Sequence, residues 1–596
     1  MNQHHLLRQP PVSFSALIGF LQLSGGVLAL LGLSAPVRAQ TFEQVAPKTL
    51  PVAAVPALPD PPAADALPAA ANDRVLVPVL HGLVFVPNVG ALLSTGVTAE
   101  GLHVAGIALL DTAEFHTLAA SYLGQPLKLS ALNQLTHDVV LYFRRHGRPV
   151  VDVLVPEQNI STGTVQILVV EGRLGQVRTE GNKWFTSEQI SSPVRARRGE
   201  IIEGGPLLAD IAWINRNPFR QVDLVFARGG NPGETDVILR TYDLRPLRVY
   251  TGYEDSGNAL TGFDRVLLGV NWGNAFSRSQ QLNYQLTASP DLEKLVAHSG
   301  SYIVPLPAWR HTLTLFGSYA QSQPVLADGI FALDGRTWQV GARYHVPLAG
   351  DGAVWTRSCT LGVDFKRSNN NLSFGGTQIF AQENDVIQGI AVFSVSHPDR
   401  HGMTTGDLTL ALSPGGLTAG NHPRAYQGAR SFARPDYGYA RLELERRTKL
   451  PAGYFWVTRG IAQLASANLL GSEQLGLGGA SSLRGYEDRE ANGDNGFVLV
   501  NEIHIPPFPV LGAIARGRMN DRLDPLVFLD YGVVASHERL PGEPRRLELA
   551  SAGLGFRYNH RGNFTLRAVY GWQLKPSGVS DLRRSQRGHI GVVVSF

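Results

Sequence analysis

The chain has 596 residues, with 53 lysines and arginines against 49 aspartates and glutamates, a formal net charge of +4. This near balance gives no support for nucleic-acid binding. The single cysteine, Cys359, excludes an intramolecular disulfide framework and any cysteine-based zinc finger. Only 17% of the residues are charged, which is low for a soluble protein of this size.

Residues 1–39 are typical of a secretory signal peptide. Arg8 is the only charge before an apolar run from Ala16 to Leu33, and small residues at Val37 and Ala39 predict cleavage before Gln40. An uncleaved membrane anchor is the alternative, but the run is short and broken by polar residues. No other segment has the ~18 apolar residues of a spanning helix. The sequence therefore predicts an exported chain without a transmembrane helix.

A linker rich in proline and alanine is predicted for residues 40–74. Its seven prolines lie at positions 47, 51, 56, 59, 61, 62 and 68. Proline interrupts helices and favours an extended, polyproline-like chain. We therefore expect a spacer without a continuous helix.

Two small modules follow, residues 75–171 and residues 172–244. In each, apolar periodicity predicts the order β-α-α-β-β. Two such units in tandem resemble POTRA domains, the periplasmic modules that precede outer-membrane barrels. Two unrelated α+β domains would give the same pattern and remain the alternative at this point.

Capping signals predict where the helices of the modules begin. Asp111 with Glu114 forms a capping box for the first helix, and Ser130 is the expected N-cap of the second. Thr186 with Gln189 forms the corresponding box in the second module.

Residues 245–596 change to alternating segments of about ten residues without helical periodicity. In one of them Leu282, Tyr284 and Leu286 share a face opposite Asn283 and Gln285. We count sixteen segments, beginning near residues 246, 264, 279, 297, 310, 336, 357, 386, 405, 437, 453, 496, 525, 549, 562 and 586. A soluble β-sandwich also alternates, but its strands are shorter and its polar face more charged. The fold class predicted is an all-β transmembrane barrel of sixteen antiparallel strands, preceded by the two small α+β modules.

The barrel's last strand ends the chain at Phe596, with Ile590, Val592 and Val594 on the same face. A terminal phenylalanine on such a strand resembles the signal by which outer-membrane proteins are recognised for assembly. The expected surroundings are therefore outer-membrane lipid, with the barrel assembly machinery as a partner.

The longest glycine-rich connection, residues 465–495, joins the eleventh and twelfth segments as the sixth surface loop. It carries the tetrad Leu483-Arg484-Gly485-Tyr486. "NRNPFRQVDLVFARGGNPGETDVIL" in the second module and "GDNGFVLVNEI" before the twelfth strand accompany the tetrad. Together these features resemble two-partner secretion transporters, the outer-membrane exporters of the ShlB/FhaC/HecB family. The resemblance covers residues 75–596.

The resemblance implies that the sixth loop folds back into the barrel, where its arginine meets an aspartate in a wall motif F-x-D-x-G. Phe528, Asp530 and Gly532 supply that motif here. The alternation of apolar and polar residues along this strand independently predicts that Asp530 faces the lumen. Because the lumen should be wet, we expect an Arg484–Asp530 pair worth only about 1 kcal/mol. Some members of the family carry a helix that plugs the barrel, and the proline-rich linker argues against one in this chain.

The function implied is export of an unfolded partner protein, an adhesin- or haemolysin-like β-helical chain captured by the modules in the periplasm and passed through the barrel. A barrel-assembly factor of the same superfamily is the main alternative, although that class usually has more modules. A passive porin would leave the modules without a purpose. The sequence contains no recognisable catalytic motif, metal-binding motif or cofactor site, so we do not expect an enzyme.

Overall fold

The computed structural model describes residues 41–51, 74–259, 261–323, 325–326, 331–348, 355–374, 377–514, 520–578 and 585–596. The predicted signal peptide and residues 40 and 52–73 of the predicted linker lie outside these ranges. Among the helices in these ranges, none is long and apolar enough to span a membrane.

The first module is a four-stranded sheet covered by two helices. The strands lie in the order Gly101–Val104, Gly82–Val86, Thr164–Glu171 and Val151–Leu154, with the first three parallel and the last antiparallel. The helices are Ala113–Ala120 and Leu129–Arg145, with two 3-10 turns at Val89–Ala91 and Ala108–Leu110 and a paired two-strand extension of Val75–Val77 and Leu127–Lys128. The aromatic rings of Phe85, Phe115 and Tyr142 meet in its core.

The second module has a three-stranded sheet in the order Arg173–Glu180, Glu234–Asp243 and Arg220–Arg228. Its first pair is parallel and its second antiparallel. The helices Ser187–Ser191 and Gly204–Ile214 pack on this sheet. Two mixed α+β units therefore precede the barrel.

The predicted capping box at Thr186 and Gln189 is confirmed by reciprocal hydrogen bonds of 2.9 and 3.2 Å. The other two predicted helix starts are wrong. Thr112 caps the first helix, because Asp111 instead ends the preceding 3-10 turn. Ser130 lies inside the second helix, which begins directly after a short strand that fixes the chain at Lys128.

The predicted barrel of sixteen antiparallel strands is confirmed. Barrel strands 1 to 16 are Leu247–Glu254, Arg265–Ala275, Gln280–Ala288, Leu295–Leu306, His311–Ser322, Phe331–Leu348, Thr356–Phe374, Thr377–Asp399, Gly402–Pro414, Asp436–Lys449, Phe455–Ala465, Asn495–His504, Asp521–Ala535, Leu547–His560, Phe564–Gln573 and Gln586–Ser595. The connections contain the two-residue strand Val325–Leu326, the helices Pro423–Ala429 and Leu511–Ile514, and a 3-10 turn at Pro451–Gly453.

The two faces of the barrel follow the predicted alternation. Leu282 and Tyr284 are exposed on the outer surface, whereas Asn283 and Gln285 point inward and are buried. The barrel closes between strand 1 and strand 16 over five residue pairs. Phe596 extends this closure, since its backbone N–H donates to the Val249 carbonyl at 2.8 Å.

The beginning of the described chain corrects the linker prediction. Phe42–Val45 is a helical turn inside the barrel, with the Thr41 N–H donating to Gln44 at 3.0 Å. The ring of Phe42 lies 4.6 Å from the ring of Phe316 on strand 5. The helix is compatible with the sequence because the prolines are concentrated beyond it, so the argument from overall proline density was too coarse.

Candidate functional site

The sixth surface loop lies inside the barrel, against its wall. Within the loop, Leu475–Leu477 pairs with Ala491–Gly493 as a small hairpin. The hairpin packs, together with Leu483 and Tyr486, against inward side chains of strands 12, 13 and 14, namely Val498, Val500, Val534 and Leu549. An apolar interface therefore seats the loop in the lumen.

Arg484 from the loop meets Asp530 from strand 13 in a two-pronged ion pair. Its Nε and Nη2 donate to the two carboxylate oxygens at 2.8 and 2.7 Å, and its backbone N–H donates at 3.2 Å. A planar guanidinium matches a carboxylate in this geometry, which a lysine could not reproduce. The structure thus brings together the two residues that the sequence places on the loop and on the wall.

The other two residues of the wall motif also contact the tetrad. The Phe528 ring lies under the Arg484 guanidinium, with 3.7 Å between the guanidinium carbon and the ring centroid. Gly532 leaves space for Leu483, since a Cβ at Gly532 would lie 2.9 Å from a Leu483 methyl carbon. The three inward residues of the motif form a receptor for the first half of the tetrad.

Gly485 and Tyr486 secure the second half of the tetrad. Gly485 has φ +94°, and a Cβ there would lie 3.0 Å from the Gly571 backbone of strand 15. The backbones of Gly485 and Gly571 are in contact at this point, so a side chain at either glycine would displace the loop from the barrel wall. The Tyr486 hydroxyl lies 2.7 Å from the Ala550 carbonyl and 2.5 Å from the Lys575 carbonyl.

Sequence analysis missed Glu502, a second carboxylate for the arginine. Arg484 Nη1 donates to Glu502 at 2.5 Å, and the other Glu502 oxygen accepts from Arg557 at 3.2 Å and contacts His504 at 2.9 Å. Residue 502 alternates inward with Val498 and Val500 on strand 12. The alternation could have placed it in the lumen, but not beside Arg484.

The expectation of a solvated pair is wrong. Arg484 is 3% exposed and Asp530 is 0% exposed, because the apolar loop interface covers them. Removing one partner of a buried ion pair costs about 3–5 kcal/mol, since the other charge is left desolvated and unpaired. The pair is therefore a firm latch.

Further ion pairs hold both ends of the loop. Glu473 near its start accepts from Lys366 on strand 7 at 2.9 Å. Asp494 at its end receives a two-pronged Arg430 guanidinium at 2.6 and 2.9 Å. Asp494, like Glu473, is buried, so an ion pair anchors each end of the loop.

The lumen also holds the chain around Phe42–Val45. The Val45 carbonyl accepts from Ser299 at 2.5 Å and from Gln285 at 3.2 Å. Lys48 pairs with Glu254 at 3.1 Å, and its N–H donates to Tyr250 at 2.9 Å. The sixth loop and the segment around Phe42–Val45 therefore both occupy the interior of the barrel.

Residues 233–558, more than half of the chain, match the family described as haemolysin secretion/activation protein ShlB/FhaC/HecB. Residues 97–172 match the ShlB-type POTRA domain. The chain belongs to the ShlB/FhaC/HecB family. Members of this family are outer-membrane transporters rather than enzymes, with POTRA domains in the periplasm. This ShlB/FhaC/HecB protein is accordingly an outer-membrane barrel whose modules lie on the periplasmic side.

Individual relatives agree with the family match. The outer membrane transporter CdiB of Escherichia coli is 26% identical over 516 residues, 80% of each chain. The hemolysin transporter protein ShlB of Serratia marcescens is 23% identical over 68% of this chain and 71% of its own. The solved structure of CdiB from Escherichia coli has the same fold, with a TM-score of 0.68, 18% identity and coverage of 99% and 100%.

Proposed function

We propose that this protein exports one unfolded partner protein: the POTRA modules capture the partner in the periplasm and the barrel carries it to the cell surface. The partner would be an adhesin- or haemolysin-like β-helical protein. The observation that carries the proposal is the fit between the Leu483–Tyr486 tetrad and the wall of the pore. A passive porin has no need for two modules at its entrance or for a loop latched within its lumen.

An open sheet edge in the first module supports the capture step. Among the described residues, Val151–Leu154 is the outermost strand of its sheet and pairs with one neighbour. Along this strand Val151 and Val153 face the core, whereas Asp152 and Leu154 are exposed. An unfolded chain can add to such an edge by backbone hydrogen bonds, so recognition tolerates many sequences.

The two segments that occupy the lumen support a transport cycle with a closed resting state. For a polypeptide to pass, residues 41–51 and the sixth loop must leave their present positions. The latch between Arg484 and Asp530 would hold the closed state until the arrival of the partner shifts the equilibrium. A ligand shifts such an equilibrium only by its difference in affinity for the two states.

Deletion of residues 75–171 tests the proposal. In cells that lack the native gene, the full-length protein should restore partner export, whereas the deletion variant should insert its barrel and export no partner. Normal export by the deletion variant would contradict capture by the first module. A general defect in the insertion of other barrels, rather than a loss of one exported protein, would instead identify an assembly factor.

A further inference from the structure

A cavity of about 580 Å³ lies where the second module meets the periplasmic end of the barrel. The second module contributes Trp213, Arg216 and Arg220, and the barrel contributes Arg278 and Arg343. Leu50, near the end of the described segment 41–51, also lines the cavity. The cavity is therefore placed at the entrance to the pore, within the usual size range of ligand sites.

The walls of this cavity are held together by specific contacts between module and barrel. Phe219 packs so closely on Gly273 that a Cβ there would lie 1.9 Å from its ring. Asn217 donates to the Gly273 carbonyl at 2.6 Å, and Gln189 donates to the Ser277 carbonyl at 2.8 Å. Arg310 of a periplasmic turn pairs with the buried Asp210 at 2.5 Å. Such contacts make the cavity a preformed site rather than a gap between loosely joined parts.

The cavity carries an excess of positive charge. Four arginines line it, and the described lining residues include neither aspartate nor glutamate. Arg343 is neutralised by Asp364, with contacts of 2.7 and 3.0 Å. The other three, Arg216, Arg220 and Arg278, have no carboxylate partner among the described residues.

Arg220 is buried and Arg216 is half-buried, and the contacts of both are with neutral groups. Arg216 donates to the Thr312 hydroxyl at 3.3 Å and contacts His345 Nε2 at 3.0 Å. Arg220 donates to the Ile214 carbonyl at 3.0 Å and to the Ser279 hydroxyl at 3.1 Å. Burial lowers the pKa of both guanidiniums, and at about 10 the pKa of Arg220 still leaves that side chain charged at neutral pH. Buried charges are stabilised by a partner of opposite sign, which the described chain does not provide here.

We propose that this cavity binds acidic segments of the exported polypeptide as they pass from the POTRA modules into the barrel. The inference rests on the export function proposed above. Carboxylates would pair with Arg216, Arg220 and Arg278, and the apolar side chains between them would contact Trp213 and Leu50. A guanidinium binds a carboxylate through parallel hydrogen bonds and adds orientation to the attraction of charge.

Peptide binding to the purified full-length protein in lipid nanodiscs tests the inference. The probe is a fluorescein-labelled ten-residue peptide of alternating aspartate and valine, compared with peptides carrying asparagine or lysine in place of aspartate. Fluorescence anisotropy should show binding of the aspartate peptide, with Kd at least about tenfold weaker for the asparagine peptide. Equal affinity for the aspartate and asparagine peptides would overturn the inference.

Charge-reversal variants place the binding in the cavity. Arg278→Glu and Arg216→Glu should each weaken binding of the aspartate peptide by about tenfold or more. Arg278 is exposed, so its substitution does not disturb the contact between module and barrel. Arg197→Glu, which makes the same charge change at an exposed position of the second module outside the cavity, should leave Kd unchanged. Equal effects of Arg197→Glu and Arg278→Glu would contradict the site.

Two further outcomes separate this inference from the export function. Normal export by both cavity variants, alongside loss of export on deletion of residues 75–171, would overturn the cavity site and leave the transporter role intact. Peptide binding that occurs only after removal of residues 52–73 would assign the cavity to the protein's own linker, which contains Asp60 and Asp65. That outcome would also overturn the inference.

Discussion

Removal of the Arg484 side chain should release the sixth loop from the barrel wall. Arg484→Ala takes away the two-pronged pair with Asp530, the 2.5 Å contact with Glu502 and the contact with the Phe528 ring. It leaves the buried Asp530 carboxylate without its cation, whereas Glu502 keeps its contacts with Arg557 and His504. The loss for a buried pair, about 3–5 kcal/mol, corresponds to roughly a 10²- to 4 × 10³-fold shift of the loop toward the released state. We expect the lower part of this range, because Glu502 remains paired after the substitution.

Trypsin cleavage after Arg489 measures that shift. Arg489 is half-buried in the folded loop, where its side chain donates to the Gly471 and Gln474 carbonyls at 2.7 and 3.0 Å. When opening and closing are fast, the cleavage rate follows the population of the released state. In lipid nanodiscs, Arg484→Ala should be cut at Arg489 about 100 times faster than the unmodified protein.

Two comparisons make this prediction specific. Arg447→Ala removes another arginine of the barrel, whose guanidinium lies over the Phe455 ring at 5.3 Å, and should not accelerate cleavage. The double variant Arg484→Ala/Asp530→Ala should be cut little faster than Arg484→Ala alone, because the two residues act as one unit. Equal rates for Arg484→Ala and Arg447→Ala, or strictly multiplicative effects of the two latch substitutions, would refute the latch.

Three smaller predictions concern the remaining contacts in the lumen. Gly485→Ala should destabilise the inward position of the loop by about 1–3 kcal/mol and accelerate cleavage at Arg489. Gly471→Ala, where a Cβ would meet no atom within 4 Å, should leave the cleavage rate unchanged. Equal cleavage rates for the two variants would contradict the close approach of the Gly485 and Gly571 backbones. Tyr486→Phe should cost about 1 kcal/mol by the same assay, through the lost hydroxyl contacts, and an unchanged rate would contradict their contribution. Deletion of residues 41–51 should raise ion conductance in planar bilayers above that of the full-length protein, and unchanged conductance would show that this segment does not obstruct the pore.

The barrel could be predicted closely from the sequence because its physical cause is local. Every strand separates lipid from lumen, so polar and apolar side chains alternate along it. Strand 2 was expected near residue 264 and begins at Arg265, and strand 13 was expected near 525 and begins at Asp521. The alternation also gave the inward direction of Asp530.

The interior of the barrel could not be predicted in the same way, because it depends on contacts distant along the chain. Arg484 meets Glu502 and Asp530 only because the loop turns inward, and the glycine-rich loop has no periodicity that reports this. The burial of the latch follows from the apolar hairpin at Leu475–Leu477, which packs on the wall. The helical turn at Phe42–Val45 likewise depends on the lumenal side chains that it contacts.

Cross-linking of a partner arrested during export tests the central claim that the polypeptide passes through the lumen. A benzophenone-bearing residue placed at Gln339 would face the lumen, since this side chain is buried and accepts from the Phe42 N–H at 3.0 Å. The same residue at neighbouring Val340, which is 50% exposed on the outer face, is the matched control. The account predicts a cross-link to the arrested partner from position 339 and none from position 340. No cross-link from 339, or equal cross-linking from both positions, would contradict transport through the barrel.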